Sequence, residues 1–340
     1  MVGEIFFLLI GLLLILIAAE VFTNGIETFG RKFSFSQAVV GSLFAAVGTA
    51  LPETILPVVA IFFYRGESAK DIGIGAILGA PFMLSTLAFF LIGVTVLASY
   101  IKKRRKFEIN VETHSTKRDL VFFLPMYSIA VLLPIIAGHS FTIPIVIMLI
   151  IGYIFYAYRT FKSESADLEH SEEMYLWKIF RKMRLTNADN PHLILILLQV
   201  FGSLTVMIAG AHTFVASLEH VSIRFGMNPL LFALMLAPIA TELPEKFNSI
   251  TWTWKGRDTL AVGNITGAMV FQSTFPVSVG LLFTEWKLTG MAFFSAVIAL
   301  TSALIVLIEL TFRKRLSPLT MLFGGGLYLV YAIVLVTNNK

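Results

Sequence analysis

Ten apolar stretches, each long enough to cross a bilayer as a helix, dominate this sequence of 340 residues. A spanning helix needs about 20 consecutive apolar residues. The stretches fall at roughly 4–25, 37–63, 72–100, 119–137, 141–161, 192–218, 228–253, 259–283, 288–311 and 317–337. Only 14% of the residues are charged and the mean hydropathy is +0.83, against about 25% charged in a soluble domain. Inside lipid every backbone polar group must be satisfied within the protein, and a helix does this segment by segment. The expected fold is an all-α polytopic membrane protein with ten transmembrane helices.

The basic residues orient this layout. With the N-terminus outside, the inner loops hold 20 of the 26 Lys and Arg residues, at 31–32, 102–106, 117–118, 159–162, 178–184, 255–257 and 313–315. The outer side keeps Arg65, Lys70, Arg224, Lys287 and Lys340. Such a bias is the positive-inside pattern. It puts both termini outside and the 162–191 loop in the cytoplasm of a cell-membrane protein. The net charge of +5 is therefore a record of topology and not a sign of nucleic acid. Glu4 with no basic residue before the first apolar run argues against a cleaved leader. The absence of cysteine excludes disulfides, thiolate metal sites and cysteine nucleophiles.

Two of the spans carry the same acidic motif. GTALPE, Gly48–Glu53, returns as ATELPE, Ala240–Glu245, so that Thr49, Pro52 and Glu53 match Thr241, Pro244 and Glu245 at an offset of 192. On the layout above, 37–63 and 228–253 cross in opposite directions. The chain then divides into a five-helix repeat at 1–161, a linker at 162–191 and an inverted five-helix repeat at 192–340, the architecture of many secondary transporters. An ionisable side chain at membrane depth is costly and marks an ion or substrate path by default.

The prolines add to the motif. Pro52 cannot donate to the carbonyl of Gly48, nor Pro244 to that of Ala240. Free carbonyls are tolerated at that depth only beside a polar cavity or a bound group. Two carboxylates with several carbonyls make an all-oxygen site, which suits a hard cation such as Ca²⁺; a softer metal is disfavoured. The plainer reading, two proline kinks with hydrogen-bonded glutamates, explains one motif better than it explains two in corresponding places. A Gly-rich segment follows each motif, with Gly75 matching Gly263 and Gly79–Ala80 matching Gly267–Ala268 at an offset of 188. Close helix packing is the expected role of these glycines. Gln272 and Asn264 are the second-copy side chains able to reach a cation, where the first copy has Leu84 and Ala76.

These motifs resemble the sodium/calcium exchanger family within the cation/calcium exchanger superfamily, whose pattern is GTSLPE followed by GNxxGSNxxN or GSNxxD, once in each half. The resemblance covers both repeats. It implies ten helices, a midplane site, Ca²⁺ held by Glu53, Glu245 and the carbonyls of Thr49 and Thr241, and Na⁺ held by flanking polar side chains. The chain departs from the pattern at Ala50 and Glu242, each in place of a Ser, and at Gly79–Ala80–Pro81 and Gly267–Ala268–Met269 in place of the GSN triplets. Leu84 and Gln272 occupy the later polar position. The central divalent site is thus expected intact, with the monovalent sites depleted on the first-repeat side.

Glu242 and Lys246 are four residues apart and would share a helix face. Glu242 reads as a proton carrier or a third ligand with Lys246 as an internal counter-charge, or the two read as a structural ion pair at the inner edge of the span. The pair Glu309 and Arg313 has the same spacing at a span end. In the linker, Leu176, Trp177, Phe180 and Met183 recur at helical spacing against Lys178, Arg181, Lys182 and Arg184; the segment is either a basic amphipathic helix on the inner leaflet or a solvated linker. The six histidines show no metal spacing, and no P-loop, catalytic triad or dinucleotide motif is present.

The expectation is accordingly a secondary antiporter and not an enzyme, exchanging Ca²⁺ for Na⁺ by alternating access. The alternatives are an H⁺-coupled exchanger of Ca²⁺ or another divalent cation, and a cation-binding membrane protein that does not transport. No cofactor is expected, since the ions are cargo. The partners are those cations and the lipid bilayer, and one repeat pair can enclose a site without a second subunit.

Overall fold

The computed structural model describes residues 2–33, 45–64, 66–163, 173–183, 191–288 and 290–338. These residues form helices throughout; the one β interaction among them is an isolated antiparallel bridge between Ile109 and Leu316. The helices are α1 (Val2–Lys32), α2 (Ala45–Phe63), α3 (Glu67–Met83), α4 (Phe89–Ile101), α5 (Thr113–Ala137), α6 (Thr142–Ser163), α7 (Tyr175–Lys182) and α8 (Leu193–Arg224). They continue as α9 (Pro229–Thr241), α10 (Leu243–Trp254), α11 (Asp258–Gln272), α12 (Phe275–Phe283), α13 (Gly290–Arg313) and α14 (Pro318–Asn338).

Eight helices or helix pairs among the described residues are long and apolar enough to cross a membrane, with shorter apolar helices at Leu51–Phe63 and Pro229–Ile239. The two shorter ones belong to the motif-bearing stretches. The stretch at 37–63 falls partly outside the described residues. The stretch at 228–253, expected as one span, is two helices that meet at Glu242, whose φ of −93° and ψ of 12° leave the helical range. Pro244, at the second position of α10, supplies the physical reason, because it cannot continue the ladder begun by α9.

Two later helices are interrupted as well, at positions matched by the 188-residue offset. α3 passes into α4 through a π-helical turn, Leu84–Ala88, and α11 breaks from α12 at Ser273–Thr274. Ser85 and Thr86 match Ser273 and Thr274. Each hydroxyl donates to a carbonyl three or four residues back: Ser85 to Pro81 at 2.7 Å, Thr86 to Phe82 at 2.6 Å, Ser273 to Val270 at 2.8 Å and Thr274 to Val270 at 3.1 Å. Ser302 of α13 donates to the Ser85 carbonyl. Irregular backbone is thereby satisfied by hydroxyls where water is scarce.

Small residues set how closely the central helices approach. A Cβ added to Gly75 would lie 2.1 Å from the Leu230 carbonyl oxygen, and one added to Gly79 would lie 2.3 Å from that of Leu234. The first-copy glycines therefore do the packing work expected of them, seating α3 against α9 almost backbone to backbone. For Gly263 and Gly267 no described residue lies within 4 Å of an added Cβ. Gly79→Ala is expected to cost about 1–3 kcal/mol by overpacking, seen as a lower melting temperature in detergent. Gly202→Ala, with nothing within 4 Å, is the control; equal melting of the two variants would show that the crossing is not tight.

The linker helix does not lie free. In α7, Trp177 is 2% exposed, and the helix start is tied to α1 and α8. The Tyr175 N–H donates to Asn24 Oδ1 at 3.0 Å, the Leu176 N–H donates to Gln199 Oε1 at 2.8 Å, and Gln199 Nε2 donates to Asn24 Oδ1 at 2.9 Å. Tyr175 also donates its hydroxyl to Glu20 at 2.9 Å. Ile179 and Met183 stay exposed beside Lys178, Arg181 and Lys182. The solvated-linker reading thus fails for α7, which packs on the helical body through one face and keeps basic and apolar side chains on its open one. Arg184 and the rest of 184–190 lie outside the described residues.

A second clamp closes the loop after α4. Arg105 grips Asp258 through both guanidinium nitrogens, with Nη1 2.7 Å from Oδ1, and also donates to the carbonyls of Thr253 and Glu108. Lys102 and Arg104 sit over the Trp254 ring at 5.0 Å. The start of α11 is held in place by these contacts, and with it Asn264 and Gln272 further along the same helix.

Candidate functional site

The two motif glutamates are buried in the middle of the helical body. Glu53, on α2 directly after Pro52, is 6% exposed; Glu245, on the first turn of α10, is 7% exposed. Between them in the chain of contacts lie Glu242 and Lys246, at 1% and 5% exposure. Glu53 is within electrostatic range of Glu245, Glu242 and Lys246, and Glu242 and Glu245 are within range of each other and of Lys246. Four charged side chains that share an apolar surrounding are costly to assemble, and each carboxylate there needs a proton, a donor or a cation.

Most of their carboxylate oxygens find no hydrogen-bond partner among the described residues. Neither oxygen of Glu53 has a hydrogen-bond partner among the described residues. The same holds for Glu242 Oε1, Glu245 Oε2 and the amide oxygen of Gln272, which is 2% exposed at the end of α11. Buried polar atoms are nearly always paired, so four carboxylate oxygens without a partner among the described residues, on three glutamates that act on one another, point to a guest that supplies positive charge. A hard cation meets that need, because it is bound by oxygens alone. No three carboxylates or imidazoles among the described residues close on one metal ion by themselves. The other ligands of a bound cation must be carbonyl or amide oxygens.

The helix break supplies the nearest carbonyls. Across it the Glu242 N–H donates to the Pro238 carbonyl at 3.1 Å and the Lys246 N–H donates to the Glu242 carbonyl at 3.1 Å, while Pro244 leaves the Ala240 carbonyl without a helical donor. Thr241 is 4% exposed and donates its hydroxyl to the Ala237 carbonyl at 3.2 Å; its backbone oxygen and the lone pairs of its hydroxyl both remain able to accept. Thr49 stands in the first turn of α2, and its side chain lies outside the described residues. Asn264 spends its amide nitrogen on the protein: it donates to the Glu245 carbonyl at 3.1 Å and to Ser249 Oγ at 3.2 Å. Its amide nitrogen therefore ties α11 to α10, and neither bond uses its amide oxygen, the atom a cation would seek.

Glu242 and Lys246 form an ion pair, Nζ to Oε2 3.1 Å, and Pro244 between them does not spoil the facing. The pair is buried, at 1% and 5% exposure, and both members act on Glu245 and Glu53. Ser85–Thr86 and Ser273–Thr274 went unremarked in the motif reading, although they recur at the same 188-residue offset as the glycines. Searching both copies for every matched polar residue would have found them. Leu84, 0% exposed, replaces an acceptor with methyl groups where the second copy has Gln272.

Paired broken helices around buried carboxylates in a polytopic all-α protein define a membrane carrier for cations. A sequence profile of the sodium/calcium exchanger protein family matches residues 3–162 and 195–338. The chain belongs to that family. Among curated relatives, an uncharacterized membrane protein of Methanocaldococcus jannaschii is 24% identical over 82% of this chain and 81% of its own length. The inner membrane protein YrbG of Escherichia coli is 22% identical over 94% of this chain and 93% of its own. The crystal structure of the H⁺/Ca²⁺ exchanger CAX superposes with a TM-score of 0.69 at 15% identity, covering 98% of this chain and 82% of that one. The sodium-calcium exchanger NCX_Mj superposes at 0.56 and 18%, covering 97% of each chain. At these identities the likeness is one of fold.

Proposed function

We propose that this chain is a secondary antiporter that exchanges Ca²⁺ for monovalent cations by alternating access. The observation that carries the reading is the pair Glu53 and Glu245, buried in matched positions of a duplicated chain with carboxylate oxygens that no described residue satisfies. The arrangement behind it is ten transmembrane helices in two inverted five-helix repeats, with both termini outside and the 162–191 loop in the cytoplasm. Glu53 and Glu245 bind the divalent ion together with the carbonyls of Thr49 and Thr241, and Gln272 contributes its amide oxygen.

The mechanism follows from charge burial. Bare carboxylates at membrane depth oppose any state in which the site is sealed from water on both sides. A divalent cation, or enough monovalent ones, removes that penalty and lets the site change sides. A ligand shifts such an equilibrium only through its different affinity for the two states, and here the difference is the neutralised charge. Exchange without leak is the result, since an empty site does not cross.

Na⁺ is the counter-ion implied by the family. H⁺ is favoured by two observations: the buried leucine at position 84 in place of an oxygen ligand, and a third carboxylate, Glu242, in the cluster. Ca²⁺ uptake into proteoliposomes under an imposed Na⁺ gradient, compared with an imposed pH gradient, separates them. Uptake under one gradient identifies the counter-ion. Absence of uptake under both overturns the exchanger reading and leaves a membrane protein that binds cations without moving them.

A further inference from the structure

Lys246 is the feature that a site for cations does not call for. Its ammonium is buried, 3.1 Å from Glu242 Oε2 and 2.9 Å from the Pro238 carbonyl oxygen. Those two oxygens, one from a carboxylate and one from a helix broken by proline, are the ligands that a monovalent cation would seek. The Lys side chain is a compact point charge on a flexible stem, so here it occupies such a place permanently.

The charges in the cluster can be enumerated. Glu53 on α2, Glu242 at the break, and Glu245 and Lys246 on α10 are the charged groups that act on one another. On the packed neighbours, α1 carries Glu4, Glu20, Glu27, Arg31 and Lys32, α3 carries Glu67, Lys70 and Asp71 at its start, α8 carries His212, Glu219, His220 and Arg224, α9 has none, and Asp258 of α11 is bound to Arg105; none of these is among the groups that act on the three glutamates. The segment 34–50, SFSQAVVGSLFAAVGTA, contains no ionisable residue, so it adds no charge. Three carboxylates and one ammonium leave a deficit of two positive charges.

We propose that the Lys246 ammonium is a resident cation of the transport site, standing in for one monovalent ion, so that one divalent cation exchanges for two monovalent cations without net charge. This rests on the exchanger reading and adds to it the stoichiometry and the residue that sets it. Glu242 is the positioning partner. It holds the ammonium beside Glu53 and Glu245 and offsets its repulsion of the divalent ion. Without Lys246 the same three carboxylates need three monovalent charges for neutrality, and one divalent ion no longer suffices.

The test clamps the voltage of proteoliposomes with K⁺ and valinomycin under whichever ion gradient drives Ca²⁺ uptake. For the unaltered protein, the equilibrium Ca²⁺ ratio is expected to be the same at 0 and at about −100 mV. One net charge per cycle would shift it roughly 50-fold, since 100 mV acts with about 2.3 kcal/mol on each charge. That shift would overturn the proposal while leaving the exchanger reading standing, whereas no Ca²⁺ movement under either gradient removes both. Lys246→Gln is expected to raise the dependence of uptake on the counter-ion from about second to about third order, as its three carboxylates require. Glu242→Gln with Lys246→Gln restores second order, and Lys246→Arg keeps it. If the order is the same in all four proteins, Lys246 is a structural residue only and the proposal fails. Should Lys246→Gln not fold, the voltage test and the double variant decide.

Discussion

Glu53→Gln and Glu245→Gln are each expected to abolish Ca²⁺ exchange, reducing uptake to that of protein-free vesicles. The amide keeps the shape of the carboxylate and removes its charge, so the site loses half of what binds the divalent ion while the helices stay as they are. The folded protein is not expected to suffer. The carboxylate of Glu53 has no hydrogen-bond partner among the described residues, and a buried charge without a partner opposes folding. Melting in the absence of Ca²⁺ should therefore be unchanged or higher, and the stabilisation by Ca²⁺ should vanish. For the unaltered protein that stabilisation is about 2.7 kcal/mol at a concentration one hundred times the dissociation constant. Glu309→Gln, at a carboxylate that pairs with Arg313 at 3.3 Å and accepts from the Ser317 N–H, should keep its flux. Unchanged flux in both Glu53→Gln and Glu245→Gln would end the assignment of this site.

The second large effect is on stability. Lys246→Met is expected to destabilise the protein by about 3–5 kcal/mol, the usual result of removing one member of a buried ion pair. Glu242 would remain in place with neither the ammonium nor water. Changing both residues, Glu242→Gln with Lys246→Met, should recover most of the loss, because replacing both members of a buried pair is often neutral. Thermal or denaturant unfolding in detergent across this double-mutant cycle measures the coupling. A single variant as stable as the unaltered protein would mean that water reaches Glu242 and that the pair is not the closed contact described above. The voltage experiment reads the same two residues through transported charge, which a purely structural pair would not alter.

How much of this was legible beforehand depends on how far apart the deciding residues are in the chain. A helix satisfies its backbone locally, so apolar runs announce themselves, and the eight long helical spans lie where hydropathy places them. The 192-residue offset between Glu53 and Glu245 was visible because duplicated motifs preserve spacing. The consequence of Pro244 was half visible. Proline rules predict freed carbonyls, but whether the chain kinks or stops is settled by neighbours, and here α9 stops and α10 begins at Glu242.

The glycines show the limit of pattern matching. Gly75 and Gly263 are equivalent by sequence, yet Gly75 faces the Leu230 carbonyl while no described residue meets Gly263. Asn264 has the chemistry of a ligand, but that its amide nitrogen also ties α10 to α11, through the Glu245 carbonyl and Ser249, is a fact of the tertiary structure. The linker carried an amphipathic pattern compatible with lipid or solvent, and what seats it is a buried amide, Gln199, more than 20 positions away in the chain.

By itself, then, the sequence determined the class of protein, the positions of its apolar helices and the matched pair of acids proposed to hold the ion, since each of these depends on composition or on spacing along the chain. The tertiary structure alone decided that Glu53, Glu242, Glu245 and Lys246 share one buried cluster, which of their oxygens lack partners, and where the Lys246 ammonium sits. Those are properties of distance and burial between helices, and Coulomb energy depends on separation and dielectric surroundings, neither of which is written in the order of residues along the chain.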